Sequence, residues 1–445
     1  MHTLEQLYSG ELQGLRRLTL RCGLREFPEQ IFTLADTLEV LDLSDNLLSS
    51  LPDDLPRLHK LRVIFCSGNR FTTLPEVLGR CTRLNMLGFR GNQISVLPPA
   101  ALPPSLRWLI LTDNRLHVLP AELGRCTQLQ KLMLSGNQLQ TLPDEMAACT
   151  RLELLRIAAN RFERLPEWLF KLPRLAWLAY ADNPVCATRA ATLPAQAPIA
   201  AIAWDELEIQ QQLGEGASGV IYRALWRAGG GQPVAVKLFK GMLTSDGSPH
   251  SEMACHLAAG EQENLLSVHG KIHGHPAAAA GLVMPLVDED CINLAGPPSL
   301  ESCTRDVYSA DLRLTEEAVL RMALGVASAA RHLHARGILH GDLYAHNILY
   351  AATGRVLLGD FGAASVFAPD GSRRAQDLQR IEVFAFSCLL EELLERCEAT
   401  EALGGESRSA LDELASLQKR CGHSDPAIRP LFGEIVDVLQ GLQTA

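Results

Sequence analysis

An acid and an amide stand five residues apart in the stretch 337–350, GILHGDLYAHNILY. They are Asp342 and Asn347, set between the apolar pairs Ile338-Leu339 and Ile348-Leu349. A second acid, Asp360, follows eighteen residues after the first, inside Gly359-Asp360-Phe361-Gly362. Two carboxylates and an amide at this spacing suit a loop that presents a base to a hydroxyl while the other two groups hold a metal on a nucleotide. A helix, a loop and a strand with incidental polar residues would account for either short motif alone. The residues upstream decide between the two readings.

Upstream, Leu213-Gly214-Glu215-Gly216-Ala217-Ser218-Gly219-Val220-Ile221-Tyr222 carries glycines in GxGxxG spacing, which lets a backbone close over phosphates. A dinucleotide fold would need a helix directly after the last glycine. Here Val220-Ile221-Tyr222 continues as a strand, and beyond Gly229 to Gly231 a second strand, Val234-Ala235-Val236-Lys237, ends in a lysine. Lys237 suits a cation reaching the α/β-phosphates; a surface lysine is the ordinary alternative, and the apolar run before it argues against that. Such a lysine needs a carboxylate to orient it. Glu252, which opens the helical stretch EMACHLAAG, is the first candidate, with Glu261 and Glu263 as alternatives in the following loop.

The elements that must carry these residues are also legible. A hairpin is expected about Gly270 to Gly281, then a strand Leu282-Val283-Met284. From Thr315 a helix is well signalled: Thr315 caps it, Glu316 and Glu317 fill its first turn, and apolar residues recur at helical spacing to about Arg336, with Gly337 closing it.

The N-terminal part is repetitive. The pattern LxxLxLxxN starts at Leu38, Leu61, Leu84, Leu106, Leu129, Leu152 and Leu175, with a less regular copy at Leu15. Leu-Pro follows every asparagine but the last. Each copy reads as a short strand, a turn closed by the asparagine amide, and a return segment set by proline; no copy can bury its leucines alone, so the copies must stack. Phe65, Met86, Trp108, Ile110, Met133 and Trp177 fall on outward strand positions and form an unusually apolar band. Such a band marks an interface for a partner protein, or else packs on itself or on the protein's own second domain.

At 445 residues, 47% hydrophobic and 21% charged, the chain is an ordered protein of two or three domains. A net charge of −10 argues against nucleic acid or an anionic membrane as the main partner. The opening MHTLEQLYSGELQG has no basic start followed by an apolar core, so no secretory signal is expected, and no apolar stretch reaches membrane-spanning length. Twelve scattered cysteines without a CxxC pair predict buried packing residues such as Cys81, Cys126 and Cys149 in a reducing, cytoplasmic setting. The Ala/Pro-rich stretch 187–203 reads as a semi-rigid connector between domains at 1–186 and 204–445.

Residues 15 to about 186 resemble the leucine-rich repeat family, with about eight repeats of 23 residues. The order GxGxxG, VAVK, helix glutamate, HGDLxxxN and DFG resembles the protein-kinase family over about 207–443. Glu382-Val383-Phe384-Ala385-Phe386-Ser387, and Cys421, Asp425-Pro426 and Arg429-Pro430-Leu431-Phe432, are similar to the helix and C-terminal signatures of tyrosine-kinase-like members. The whole resembles soluble leucine-rich repeat protein kinases of bacterial type. The implied architecture is multidomain α+β, a repeat solenoid followed by a two-lobed kinase-like domain with a shortened activation segment.

The resemblance implies ATP and Mg2+ as cofactors. Gly214, Gly216 and Gly219 would cover the phosphates, with Lys237 on them and Glu252 pairing Lys237. Asp342 would take the hydroxyl proton, and Asn347 and Asp360 would hold the metal. Ile221, Ala235 and Leu349 would sandwich the adenine, and Met284 would stand before a hinge at Pro285 to Val287.

The departures are Gly341 in place of the motif's arginine, a short segment 362–382 without Ala-Pro-Glu, and a short stretch 398–407. Arg429 would then lack its usual glutamate partner. Tyr344 stands where serine/threonine kinases carry lysine, and His346 does not supply the arginine of tyrosine kinases. These departures lie on the substrate side and predict a kinase that activation-loop phosphorylation does not switch. The function expected is transfer of the γ-phosphate to a protein hydroxyl, Ser or Thr first, with the repeats recruiting a protein. The alternatives are an ATP-binding scaffold without transfer, and a small-molecule kinase.

Overall fold

The computed structural model describes residues 2–191, 200–216, 218–241, 243–288, 290–352, 354–398 and 405–444. They form two compact units: Met1–Leu175 with Asn183–Val185, and Ala176–Asp182 with Cys186–Ala445. Ala217 of the glycine-rich turn, residues 192–199 of the expected connector 187–203 and residues 399–404 of the short stretch after the Glu382 helix lie outside the described residues. The described ends of that connector are regular structure, the helix Pro184–Ala191 and the strand Ala200–Ala203.

In the first unit, three-residue strands from Arg17–Thr19 to Leu154–Arg156 pair in parallel, one repeat to the next, in the register Arg17, Val40, Val63, Met86, Trp108, Lys131, Leu154. The pattern leucines from Leu38 onward are fully buried between copies, whereas Leu15 of the irregular first copy is half-buried. The asparagines bind neighbouring copies together: Asn114 Oδ1 accepts from Ile94 N–H at 2.9 Å, and Asn114 Nδ2 donates to the carbonyls of Phe89 at 2.9 Å and Leu111 at 3.1 Å. Proline, which lacks an N–H, opens each return, as Pro75 does before the 3-10 turn Glu76–Arg80. Burial pushes the thiols of Cys81 and Cys126 up to about 11 and that of Cys149 up to about 12.

The expected outward apolar band needs correction. Met86 and Met133 are buried at 1% and 8% exposure, and Phe65, Trp108 and Ile110 are half-buried. The Phe65 ring lies over Gly88, so close that a Cβ there would meet it at 2.4 Å. The Lys131 ammonium stands 4.3 Å from the Trp108 ring centroid. Neighbouring strands lie only about 4.8 Å apart, so long side chains in adjacent copies cover one another. Trp177 is buried and belongs to the second unit.

The second unit opens with a six-stranded sheet, in spatial order Leu207–Glu215, Gly219–Trp226, Gln232–Phe239, Gly281–Pro285, Gly270–His273 and Ala200–Ala203. Strand alternation sorts the VAVKLF run. Val234 and Val236 enter a core with Ile202, Leu207, Ile272 and Val283. Ala235 and Lys237 point to the other face, where Phe239 packs with Met253 of the helix Pro249–Ala259 and Leu282.

The remaining chain is mostly helical. Helix Glu316–Ala335 starts where Thr315 accepts from Ala318 N–H, and the chain leaves it through Gly337 at φ 70°. Helices Arg373–Glu395, Gly405–Cys421 and Phe432–Thr444 complete the unit. No helix among the described residues is long and apolar enough to cross a membrane.

Candidate active site

Two antiparallel hairpin strands, Ile348–Tyr350 and Val356–Leu358, follow Asn347 and lead into Asp360, with Ile348 paired to Leu358. Gly359 N–H donates to the Asn347 carbonyl at 3.0 Å, which brings the amide and the second carboxylate to the same end of the hairpin. Asn347 Nδ2 donates to Asp342 Oδ2 at 2.9 Å and to the Asp342 carbonyl at 3.0 Å. With its amide nitrogen turned onto Asp342, Asn347 keeps its amide oxygen as an acceptor for a cation.

Asp360 stands at φ 54° and accepts from Gly362 N–H at 3.1 Å. Desolvation by surrounding protein raises its carboxyl, but the Lys237 ammonium and the Gly362 bond outweigh it and hold the group below the usual carboxylate range. Lys237 and Glu252 form an ion pair, buried at 9% and 3% exposure. Burial raises the Glu252 carboxyl; Lys237 opposes this, while Asp360 adds to it. One lysine thus acts on both acids, and the sequence's first choice of partner for it stands next to it.

The loop is fastened from below. Gly341 N–H donates to Glu382 Oε1 at 2.7 Å, and Glu382 Oε2 accepts from His334 Nε2 at 2.6 Å, all in the buried interior. His340 Nε2 bonds the Gly359 carbonyl at 2.8 Å, and the carbonyl partner requires the proton on that nitrogen. Phe361, fully buried, stacks on His256 with centroids 4.3 Å apart and tilts against His340 at 5.4 Å. His256 Nε2 donates to the Leu266 carbonyl at 2.7 Å, and burial lowers its ring to about 4, so it is neutral at pH 7. The glutamate helix, the loop and the Asp360 segment therefore share one ring stack.

Ile221 and Lys237 pair across the sheet, as do Ala235 and Met284, while half-buried Leu349 lies on the hairpin. A Cβ on Gly219 would strike the Leu238 carbonyl at 2.5 Å, whereas nothing lies within 4 Å of one on Gly214 or Gly216, which leaves room beside the turn. Phe65, Met86, Trp108, Ile110 and Met133 belong to the first unit. Arg429, buried, donates to the carbonyls of His423 and Arg380 and lies over the Phe384 ring; burial lowers it to about 10.

Sequence reasoning missed His256 and the anchoring role of Glu382. His256 was findable, since it follows Glu252 by one helical turn and shares its face. For Glu382 the sequence showed its place at the head of the helix signature and an acid among apolar neighbours, but not the loop that it anchors.

A family model for protein tyrosine and serine/threonine kinases matches residues 207–388, and one for leucine rich repeats matches 36–94 and 104–162. Dual serine/threonine and tyrosine protein kinases of Tetraodon nigroviridis and Homo sapiens are each 25% identical, over 276 and 274 residues, covering 53% of this chain and 28% of theirs. A serine/threonine/tyrosine-protein kinase of Arabidopsis thaliana is 23% identical over 276 residues, covering 53% of this chain and 66% of its own length. The chain thus spans well under half the length of the first two relatives. It carries N-terminal leucine-rich repeats and a C-terminal domain of the protein tyrosine and serine/threonine kinase family.

Proposed function

We propose that the chain is an ATP- and Mg2+-dependent protein kinase that moves the γ-phosphoryl group to a protein hydroxyl, serine or threonine in the first place. The observation that carries this reading is the joint presence, within one unit, of the buried Lys237–Glu252 pair, the Asp342–Asn347 bond and an Asp360 carboxyl held below its usual range. Lys237 binds the nucleotide's phosphates and Glu252 keeps it extended toward them. Asp342 accepts the hydroxyl proton as the new oxygen–phosphorus bond forms and the β–γ bridge breaks.

The residues fit a magnesium ion. Asn347 and Asp360 offer one amide oxygen and an ionised carboxylate, the hard donors this cation takes. When bound, magnesium supplies charge neutralisation on the phosphate oxygens. The open space at Gly214 and Gly216 suits a turn closing over the same phosphates.

Gly341 leaves the loop without an arginine to read a phosphorylated activation loop, so the domain is not switched that way. The repeats recruit the substrate protein, with half-buried Phe65, Trp108 and Ile110 the accessible part of their band. The free cysteines suit a reducing, cytoplasmic setting.

Incubation with labelled ATP, magnesium and generic protein substrates tests the reading. Transfer by the native chain should fall by at least about a thousandfold in Asp342→Asn and Asp360→Asn. Nucleotide binding without any transfer would replace the enzyme by an ATP-binding scaffold.

A further inference from the structure

The segment Ala176–Asp182 folds with the second unit, and its residues reach three separate parts of the site. The buried Trp177 ring stacks on Tyr344, with centroids 4.1 Å apart and planes 7° from parallel. Its Nε1–H donates to the Leu343 carbonyl at 3.0 Å. Leu343 and Tyr344 directly follow Asp342. On the other side of that acid, the Leu178 carbonyl approaches Gly341 so closely that a Cβ there would come within 2.8 Å. Asp342 is therefore flanked on both sides by residues in contact with this segment.

Tyr180 engages the chain just after Asp360. Its N–H donates to Ser365 Oγ at 2.9 Å, and its buried hydroxyl donates to the Val366 carbonyl at 3.1 Å. Asp182 accepts from Ser248 N–H at 3.2 Å and from the Ser251 hydroxyl. Those serines form the first turn of helix Pro249–Ala259, which carries Glu252, and a carboxylate is favourable at a helix N-terminus. Phosphoryl transfer needs the lysine–glutamate pair, the base and the metal-holding acid in place together. One contiguous stretch of seven residues touches the element behind each of them.

We propose that Trp177, Tyr180 and Asp182 are positioning residues that hold the catalytic loop, the segment after Asp360 and the Glu252 helix in the transfer-competent arrangement. They do permanently what a phosphorylated activation loop does in kinases that have the arginine missing at Gly341. The inference rests on the kinase reading above and adds how that site is kept assembled. None of the three touches nucleotide or phosphate; each acts through a neighbour. Trp177 and Tyr180 act on the geometry around Asp342 and Asp360, and Asp182 acts on the Lys237–Glu252 pair.

The test uses the full chain with Trp177→Leu, Trp177→Phe, Asp182→Gly and Asp182→Asn. Asp182 has φ 58°, so glycine removes the carboxylate without backbone strain, and asparagine keeps an acceptor there. Trp177→Leu should lower kcat by about ten- to a hundredfold with KM for ATP within about twofold, and Trp177→Phe, which retains the stack, should recover most of it. Asp182→Gly should instead raise KM for ATP by about tenfold, with Asp182→Asn restoring it. Amide hydrogen exchange should quicken at 341–344 and 365–366 in Trp177→Leu and at 248–252 in Asp182→Gly, while helix Phe432–Thr444 keeps its protection.

Unchanged kcat and unchanged exchange in Trp177→Leu overturn the proposal, as does a fall in kcat that Trp177→Phe does not recover. Should Trp177→Leu unfold throughout, the KM and exchange of the two Asp182 variants decide in the same way. A native chain that transfers no phosphate overturns the kinase reading alone. The exchange pattern and ATP affinity of the variants then still report whether the segment holds the three elements.

Discussion

The backbone at Gly341 lies in the left-handed region at φ 73°, and a Cβ there would come within 2.5 Å of the Ala363 carbonyl and 2.8 Å of the Leu178 carbonyl. Both obstacles are main-chain atoms, which cannot rotate aside. A left-handed non-glycine residue costs about 1–2 kcal/mol, and displacing two packed carbonyls adds to that. Gly341→Ala should therefore lower unfolding free energy by about 2 kcal/mol or more, read from urea denaturation. An unchanged midpoint would show that the loop yields. Gly341→Arg meets the same two carbonyls, so restoring the family motif does not restore a phosphorylation switch. From sequence, Gly341 reads as a lost sensor, and its steric meaning is hidden, because one of the two carbonyls belongs to a residue far back in the chain. Lys237, Asp342, Asn347 and Asp360 were legible as candidates because the chemistry proposed for them dictates both residue type and spacing, and they fall together in the second unit. Trp177, Tyr180 and Asp182 carry no such signature; only their tertiary neighbours give them a role.

The helix Arg373–Glu395 is the element on which the catalytic loop is mounted, through Glu382. Burial raises the Glu382 carboxyl, but the bond and charge of His334, the charge of His340 and the Gly341 N–H outweigh it and hold the group below its ordinary 4.5. A folded value below the unfolded one gives stability that is complete above about pH 4.5 and is lost as pH falls through the folded value. Glu382→Gln should therefore cost on the order of 3 kcal/mol near neutral pH, since it leaves buried donors short of their acceptor. The gap between native and variant chains should narrow below about pH 4.5. Urea titrations at several pH values read both numbers, and a gap that stayed constant into acid would remove Glu382 as the titrating anchor. Elements with local signals were legible: Thr315 and Gly337 mark the ends of helix Glu316–Ala335, and the leucine–asparagine–proline pattern marks the repeats from Leu38 to the one before the last. The two-residue strands Ile338–Leu339 and Ser365–Val366 were not, because they exist only through pairing with each other. Burial of Met86 and Met133 was misjudged for a related reason: alternation assigns a face, whereas exposure depends on what the adjacent copies place beside it.

For the molecule as a whole, the position of the unit boundary decides how the roles of the repeats can be separated. Stacked repeats contribute stability through nearest neighbours, so shortening the array from its start removes terms local to it. Ala176–Asp182 carries the tail of the last repeat pattern yet belongs to the second unit. A chain beginning at Ala187 loses the buried Trp177 and Tyr180, and each large buried aromatic is worth about 3–5 kcal/mol. One beginning at Ala176 keeps both. The shorter chain should melt about 10 °C or more below the longer one, at roughly 2–4 °C per kcal/mol for a domain of this size. It should also turn over generic substrates more slowly. Equal melting temperatures would mean that the segment contributes nothing to the second unit. The same pair of chains isolates recruitment. A cut at residue 186 removes substrate capture and positioning together, so a fall in activity there has two readings. A cut before Ala176 removes only the array. If the repeats recruit the substrate, that chain keeps full turnover on generic peptides and loses it on its own protein partner, and unchanged turnover on that partner would refute recruitment.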